Sequence, residues 1–376
     1  MKNKKILIVC PYFYPEAGGL ELYAYKIARH LSENNKVFVV CATKNKKIKK
    51  RIEKSGDLLV IRDYPTFFIS NTPINFKLKK IIKNIIKEYK IDLIIAHTPV
   101  PFYADIAAKI AQKNKIPFIL HYHVSSLYKK RLLLDTLAFF YEKIFEKKMF
   151  EISKKIISAS YYPINKKLKR FNHKTVFMPP FIDIELFKPG CNPKKQILFV
   201  GQLDKSKKWK GVDNLLKAFR IFQKRNKEFR LLIIGSGNYL KHYKKTAERL
   251  ELTKNTEFLG SLEQKKIVKY YQSSLFAVIP SVSNAEGTPT VLFEAMACGK
   301  PVIGGNVGGI PYIIKKEKCG IIVNAKNIKE LAKKMEILTK QKIYNYFSKN
   351  CIKNINKYES EKKLKQIEKI YEKALT

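Results

Sequence analysis

Acidic side chains are scarce in this chain: 31 Asp and Glu stand against 75 Lys and Arg, a net charge of +44 over 376 residues. A balance of that size attracts anionic polymers, anionic membrane surfaces and phosphorylated ligands without choosing among them. Lysine is spread through stretches such as KLKKIIKNIIKEYK (77–90) and KKLKQIEKIYEK (362–373), a pattern that a solvated helical face produces with no partner at all. Long apolar runs are also missing. In MKNKKILIVCPYFYP the apolar run stops at Pro11, too short for the core of a secretory leader. No later stretch approaches the roughly 18 apolar residues of a membrane span. The expectation is a soluble, cytoplasmic protein, or one held peripherally on the inner face of the plasma membrane. Six cysteines stand apart, with no C-x-x-C pair and no close Cys/His clustering. That spacing excludes a disulfide framework and a structural zinc site and points to a reducing compartment.

What is present is length, apolar content and a regular rhythm. A chain of 376 residues with 45% hydrophobic composition is too long for one ordinary core, so two domains are expected. Short β-branched runs alternate with helical periods, as in βαβ units around a parallel sheet. In the first half these runs are 5–10, 37–42, 58–62, 92–97, 117–123 and 155–160. In the second half they are 196–201, 230–235, 256–260, 276–281, 301–305 and 320–324. Between the halves, MPPFIDIELFKPGCNPK (178–194) carries four prolines and a glycine and reads as a linker. The fold class is therefore α/β, with two Rossmann-like, doubly wound domains over 1–185 and 190–357 facing across a cleft at the carboxyl ends of their strands, where such folds bind ligands. The helical tail 358–376 is expected to pack back on the first domain.

Four stretches carry candidate chemistry. In NAEGTPTVLFEAMACGKP (284–301) two carboxylates, Glu286 and Glu294, interrupt an apolar, small-residue run. Thr288 is placed as N-cap, Pro289 at the first helical position and Gly299 with Pro301 at the end. Glu286 then precedes a helix N-terminus, a ready phosphate site, and Glu294 lies about a turn and a half inside. The two acids can bracket a ligand with hydroxyls at both ends and a diphosphate between; they read equally as helix-end charges. In VGQLDKSKKWKGVDNLLKAF (200–219), Lys205, Lys207, Lys208 and Lys210 follow a strand end and can neutralise a diphosphate, or form a basic surface loop. Gly18 and Gly19, between a strand and a helix, can bring backbone N–H groups to a ligand, or make a tight turn. LLIIGSGNYL (231–240) repeats the strand–glycine–helix order around Gly235 but lacks the third glycine of a dinucleotide fingerprint. His123 and His97 each end a strand, positions that suit a cleft contact or a structural histidine.

Taken together, these stretches resemble the retaining, GT-B-fold glycosyltransferases called family 4 or the group 1 glycosyltransferases. The resemblance runs through YPEAGGLELYAYKIARHL, LHYH, PPFIDIELFKP, the lysine loop and, most specifically, EGTPTVLFEAMACGKPVIGGNVGGIP, which is similar to the family's E-x7-E motif. It implies that Glu286 contacts the donor sugar and Glu294 the ribose. Thr290 and Val291 would offer backbone N–H groups to the diphosphate. Gly18, Gly19 and Gly235 would line the donor, His123 would stand near the reacting sugar, and Lys210 would stabilise the departing diphosphate. Gln202 stands where the family usually has arginine, and Lys205 is the candidate replacement cation. The interior G-T-P-T replaces the common G-F-G-L, a change expected to leave the backbone donors in place and to alter the sugar pocket. Tyr312 replaces a frequent glutamate.

The function so implied is retaining transfer of a hexose-type sugar from a nucleoside diphosphate sugar to a hydroxyl of a glycan or lipid-linked acceptor, in polysaccharide, lipopolysaccharide or glycoconjugate synthesis. No D-x-D motif stands near these elements, so no metal and no cofactor is expected. An anionic membrane surface is a candidate partner, since 125–155 mixes leucine, phenylalanine and lysine; nucleic acid is not expected. The competing class is a non-catalytic basic protein of the same fold that binds nucleic acid or an anionic surface.

Overall fold

The computed structural model describes residues 1–16, 18–47, 50–69, 72–98, 100–123, 132–159, 166–190 and 192–375. The chain divides into two units, Met1–Pro179 with Glu361–Thr376, and Pro180–Ser360.

The first unit contains β1 (Lys5–Val9), β2 (Lys36–Ala42), β3 (Lys50–Ser55), β4 (Leu58–Asp63), β5 (Phe67–Ile69), β6 (Thr72–Ile74), β7 (Leu93–His97), β8 (Phe118–Tyr122), β9 (Lys155–Ser158) and β10 (Thr175–Phe177). Eight of these form one sheet in the order β10-β9-β8-β7-β1-β2-β4-β3, while β5 and β6 pair separately. The large sheet is parallel except at its edge, where β3 runs antiparallel to β4. Its inner strands read as near-continuous apolar runs: Ile6 to Val9, Val37 to Val40 and Leu93 to Ala96 are all 1% exposed or less. That is the composition expected of a sheet covered on both faces.

The second unit contains β11 (Gln196–Val200), β12 (Arg230–Ile234), β13 (Thr256–Gly260), β14 (Phe276–Ile279), β15 (Val302–Gly305) and β16 (Gly320–Val323). They form a parallel sheet in the order β13-β12-β11-β14-β15-β16. This is the doubly wound order of a dinucleotide-binding domain, and the strand order reverses between β11 and β14. The helix Val212–Gln223 shows why the pattern folds this way. Val212, Leu215, Leu216, Phe219 and Phe222 recur at helical spacing and are buried on one stripe, against core strand residues such as Ile197, Phe199 and Leu231.

All twelve strand runs read from the sequence are present, with ends shifted by a residue or two. Four strands were not anticipated: β3, β5, β6 and β10. The boundaries move too. The expected first domain ran to 185, but Ile182 bridges Glu359 and Phe187 packs edge-on against Tyr271, which ties 180–187 to the second unit. At the other end, the expected tail 358–376 divides. Tyr358 is buried and donates to Glu317 at 2.7 Å, so 358–360 stay with the second unit. The helix Ser360–Leu375 sits from Glu361 in the first unit, where His121 meets Tyr371 at 2.6 Å and His30 meets Glu368 at 3.0 Å. Of the expected basic helical stretch 125–155, residues 125–131 lie outside the described residues; so do Ser160 of the expected strand 155–160 and Cys191 of the expected linker.

Candidate active site

The carboxyl ends of β11 and β14 flank the reversal of strand order in the second unit, and both expected charge clusters grow from them. After β11 the chain makes the short turn Lys205–Lys210 and enters Val212–Gln223 through Gly211. After β14 it passes Pro280 and Ser281, reaches Glu286, and enters the helix Thr290–Ala297. The two loops are joined by backbone. Val282 N–H donates to the Trp209 carbonyl at 2.8 Å, and a Cβ on Gly211 would lie 2.0 Å from the Pro280 carbonyl oxygen. Gly211 also has φ of +77°, so both its conformation and its close neighbour require glycine.

This junction brings Lys210 and Glu286 together. The Lys210 ammonium lies 3.2 Å from Oε2 of Glu286, whose side chain is only 8% exposed. Ser281 Oγ donates to the same oxygen at 2.7 Å. Among the described residues nothing takes Oε1, so the carboxylate keeps acceptor capacity for a ligand hydroxyl. The ammonium is also 4.9 Å from the Trp209 ring centroid, a cation–π contact that fixes it beside the acid. The Glu286 loop is braced by Gly309, whose N–H donates to the Gly287 carbonyl at 2.9 Å.

Glu294 is 8% exposed and is held by Tyr271, whose hydroxyl donates to Oε2 at 2.9 Å. Burial and the adjacent carboxylate push the Tyr271 hydroxyl well above its usual range, so it remains a donor. The helix geometry differs from expectation by one position. Pro289 has ψ of 137° and is itself the N-cap, and helical residues begin at Thr290. Five residues separate cap from Glu294, a rise of about 7.5 Å. Pro289 itself lacks an N–H, so the backbone donors at this helix start are those expected, Thr290 and Val291. No side chain caps this helix start. Its far end closes with Gly299 N–H donating to Met296 and Lys300 N–H to Ala295, at 2.9 and 2.8 Å.

The remaining candidates are placed separately. Lys205 is exposed, and its N–H donates to Asn238 Oδ1 at 2.8 Å. Gly235 has φ of +147°, and a Cβ there would lie 1.9 Å from the Gly201 carbonyl oxygen, so the close approach of β11 and β12 itself demands glycine. In the first unit, Gly18 caps and Gly19 begins the helix Gly19–Ser32. The loop before them is held by Arg62, 4% exposed, which donates to the Phe13 carbonyl at 3.0 Å, to Tyr14 O and to Glu53 at 3.1 Å.

Folding also assembles a group that sequence spacing gave no sign of. His97 ends β7, His121 lies in β8 and His123 follows it; one ring nitrogen from each lies within 4.8 Å of the others. His97 Nδ1 is 3.1 Å from His123 Nε2. Burial pushes the His97 and His121 imidazoles well below the usual histidine range and His123 down to about 3, so all three are neutral at ordinary pH. The rings lie nearly parallel, with interplanar angles of 23°, 11° and 21°.

Sequence reasoning missed Tyr271, Ser281, Trp209 and His97 as partners of the predicted residues. Ser281 and Trp209 stand beside the strand end and the lysine loop that the sequence marks; Tyr271 is 23 residues from Glu294 and carries no local signal.

The two Rossmann-like units place the fold in the GT-B class, with the Lys210–Glu286 pair at the switch point of the second unit. The model described as glycosyl transferases group 1 matches residues 182–358, and that described as glycosyltransferase family 4 matches 17–186. An uncharacterised glycosyltransferase of Methanocaldococcus jannaschii is 27% identical over 403 aligned positions, covering 100% of both chains. Sucrose-phosphate synthase from Thermosynechococcus elongatus superposes with a TM-score of 0.79 at 19% identity, over 99% of each chain. An Anabaena protein, HepE, solved with UDP and glucose, superposes with a TM-score of 0.75 at 18% identity, over 99% of this chain and 100% of that one. The chain belongs to the group 1 glycosyltransferases.

Proposed function

We propose that this glycosyltransferase moves a hexose-type sugar from a nucleoside diphosphate to a hydroxyl of a glycan or lipid-linked acceptor, keeps the anomeric configuration, and uses no metal ion. The observation that carries the reading is the Lys210–Glu286 pair at the strand-order reversal, at the mouth of an uncapped helix that holds Glu294. Glu286 accepts from hydroxyls of the sugar, and Glu294 from the ribose. The Thr290 and Val291 N–H groups and the positive helix end face the diphosphate, and Lys210 neutralises charge as the diphosphate departs. Gly18 and Gly19 line the donor from the first unit, His123 contacts the transferred sugar, and Lys205 supplies a second, outer cation. The bond from the anomeric carbon to the diphosphate oxygen breaks, the bond to the acceptor oxygen forms on the same face, and a phosphate oxygen takes the acceptor proton. UDP and glucose in the Anabaena neighbour support a uridine donor as the first to test.

A peripheral membrane acceptor is supported by the first unit's exposed Phe139, Phe140 and Ile144, at 48%, 54% and 57%, with Lys143 over the Phe139 ring at 5.8 Å. Apolar tips beside ammonium groups suit an anionic bilayer surface. Among the described residues no helix is long and apolar enough to cross a membrane.

The test is a panel of nucleotide sugars read by nucleoside diphosphate release, with the product's anomeric configuration read by NMR. Release that continues in EDTA, with retained configuration, is expected. Inversion, or strict dependence on added Mg²⁺ or Mn²⁺, contradicts the proposal.

A further inference from the structure

The histidine cluster at the ends of β7 and β8 contains one directed contact, His97 Nδ1 to His123 Nε2 at 3.1 Å. Two neutral imidazoles can share that contact in only two ways. Either His97 carries its proton on Nδ1 and donates, or His123 carries its proton on Nε2 and donates. The other nitrogen of His97 decides between them. His97 is 0% exposed, and among the described residues its Nε2 has no hydrogen-bond partner. If His123 donates, His97 holds its proton on that buried, unpartnered nitrogen. If His97 donates, only a bare lone pair is left there. Orphaned buried N–H groups are the rarer and costlier defect, and a doubly protonated His97 adds a buried charge to the same defect.

We infer that His97 is a positioning residue for His123: by donating from Nδ1 to His123 Nε2 it fixes the His123 proton on Nδ1, so that His123 presents an N–H donor rather than a lone pair on its outer side. The inference rests on the reading that His123 contacts the transferred sugar, where a fixed donor faces a sugar oxygen. His97 is itself clamped for this task. Its ring stacks on His121 with centroids 4.6 Å apart, and the Tyr23 ring stands edge-on to it at 6.2 Å. His121 in turn is bonded to Tyr371 at 2.6 Å. The cluster thus works as a stack that holds one tautomer.

The tautomer is measured in the resting full-length protein by long-range ¹⁵N–¹H NMR of the histidine side chains. The expected result is a protonated Nδ1 and a bare Nε2 on His123. A protonated Nε2 overturns the inference, and since no turnover is involved the result does not depend on whether His123 touches sugar; that is read separately from His123→Ala kinetics. In His97→Leu the His123 proton is expected to move to Nε2, and kcat to fall about tenfold or more with donor KM little changed. His97→Asn, which can place an N–H donor near the position of Nδ1, is expected to restore most of kcat and the wild-type tautomer. A His97→Leu protein that melts as a folded enzyme yet keeps both the wild-type tautomer and kcat overturns it as well.

Discussion

At the scale of single residues, the site's charges gain their properties from their partners. Lys210 and Glu286 are a largely buried pair, and removing one member leaves the other desolvated and alone. Lys210→Met is expected to lower kcat about 10²- to 10³-fold, the range for losing one preorganised charge-stabilising group, while the fold persists by circular dichroism. Tyr271→Phe keeps the ring and removes the hydroxyl that orients Glu294. A hydrogen bond to a charged group is worth about 1.5–3 kcal/mol, so donor affinity measured by calorimetry is expected to drop about tenfold or more. The three neutral histidines set a pH dependence. Their folded pKa values lie below the ordinary 6.5, so between about pH 6.5 and 3 the unfolded chain binds more protons than the folded one. Stability is therefore lost as pH falls through that window, by up to about 1.4 kcal/mol per pH unit for each imidazole. Urea denaturation from pH 7.5 to 5 is expected to show this slope, and His121→Phe to flatten it.

At the scale of elements, the loops after β11 and β14 act as one piece. Gly211→Ala meets both a left-handed φ and the Pro280 carbonyl, so it is expected to cost about 1–3 kcal/mol and to lower kcat by shifting Lys210. An unchanged melting curve with full activity would show that the loops are not coupled. The β11 and β14 strands, Lys210, Glu286 and Glu294 were all legible, because buried parallel strands are written as unbroken apolar runs and the charges that follow them stand out. β3 was not legible: KRIEKS is a charged edge strand whose pairing with β4 supplies what its composition does not. β10 and the β5–β6 hairpin are three residues each, too short for a period to show. The start of Thr290–Ala297 moved by one position because the Thr288 hydroxyl makes no cap and Pro289 takes an extended backbone. The Tyr271–Glu294 and His97–His123 contacts were hidden for a plainer reason: the partners are distant in sequence, and only the folded chain brings them together.

At the scale of the whole molecule, the chain's ends and its charge matter most. From Glu361 the C-terminal helix belongs to the first unit, through Tyr371 and Glu368, with Tyr371 wholly buried. Deleting residues 361–376 is expected to expose the histidine cluster and to destabilise the first unit, with hydrogen exchange rising in β7 and β8 and little change in β11 to β16. The charge of +44 predicts association with anionic vesicles in flotation assays at low ionic strength. That binding should weaken steeply toward physiological salt and depend on Phe139 and Phe140; its absence at low salt would remove the membrane proposal. The most direct test of the site is nucleoside diphosphate release from a nucleotide-sugar panel by wild-type protein and by Lys210→Met and Glu286→Gln. At least one donor should be turned over by the wild type and by neither variant. A wild-type protein that releases nothing from any donor, and binds RNA as tightly with Met at 210 as with Lys, would contradict a donor site at the β11–β14 junction.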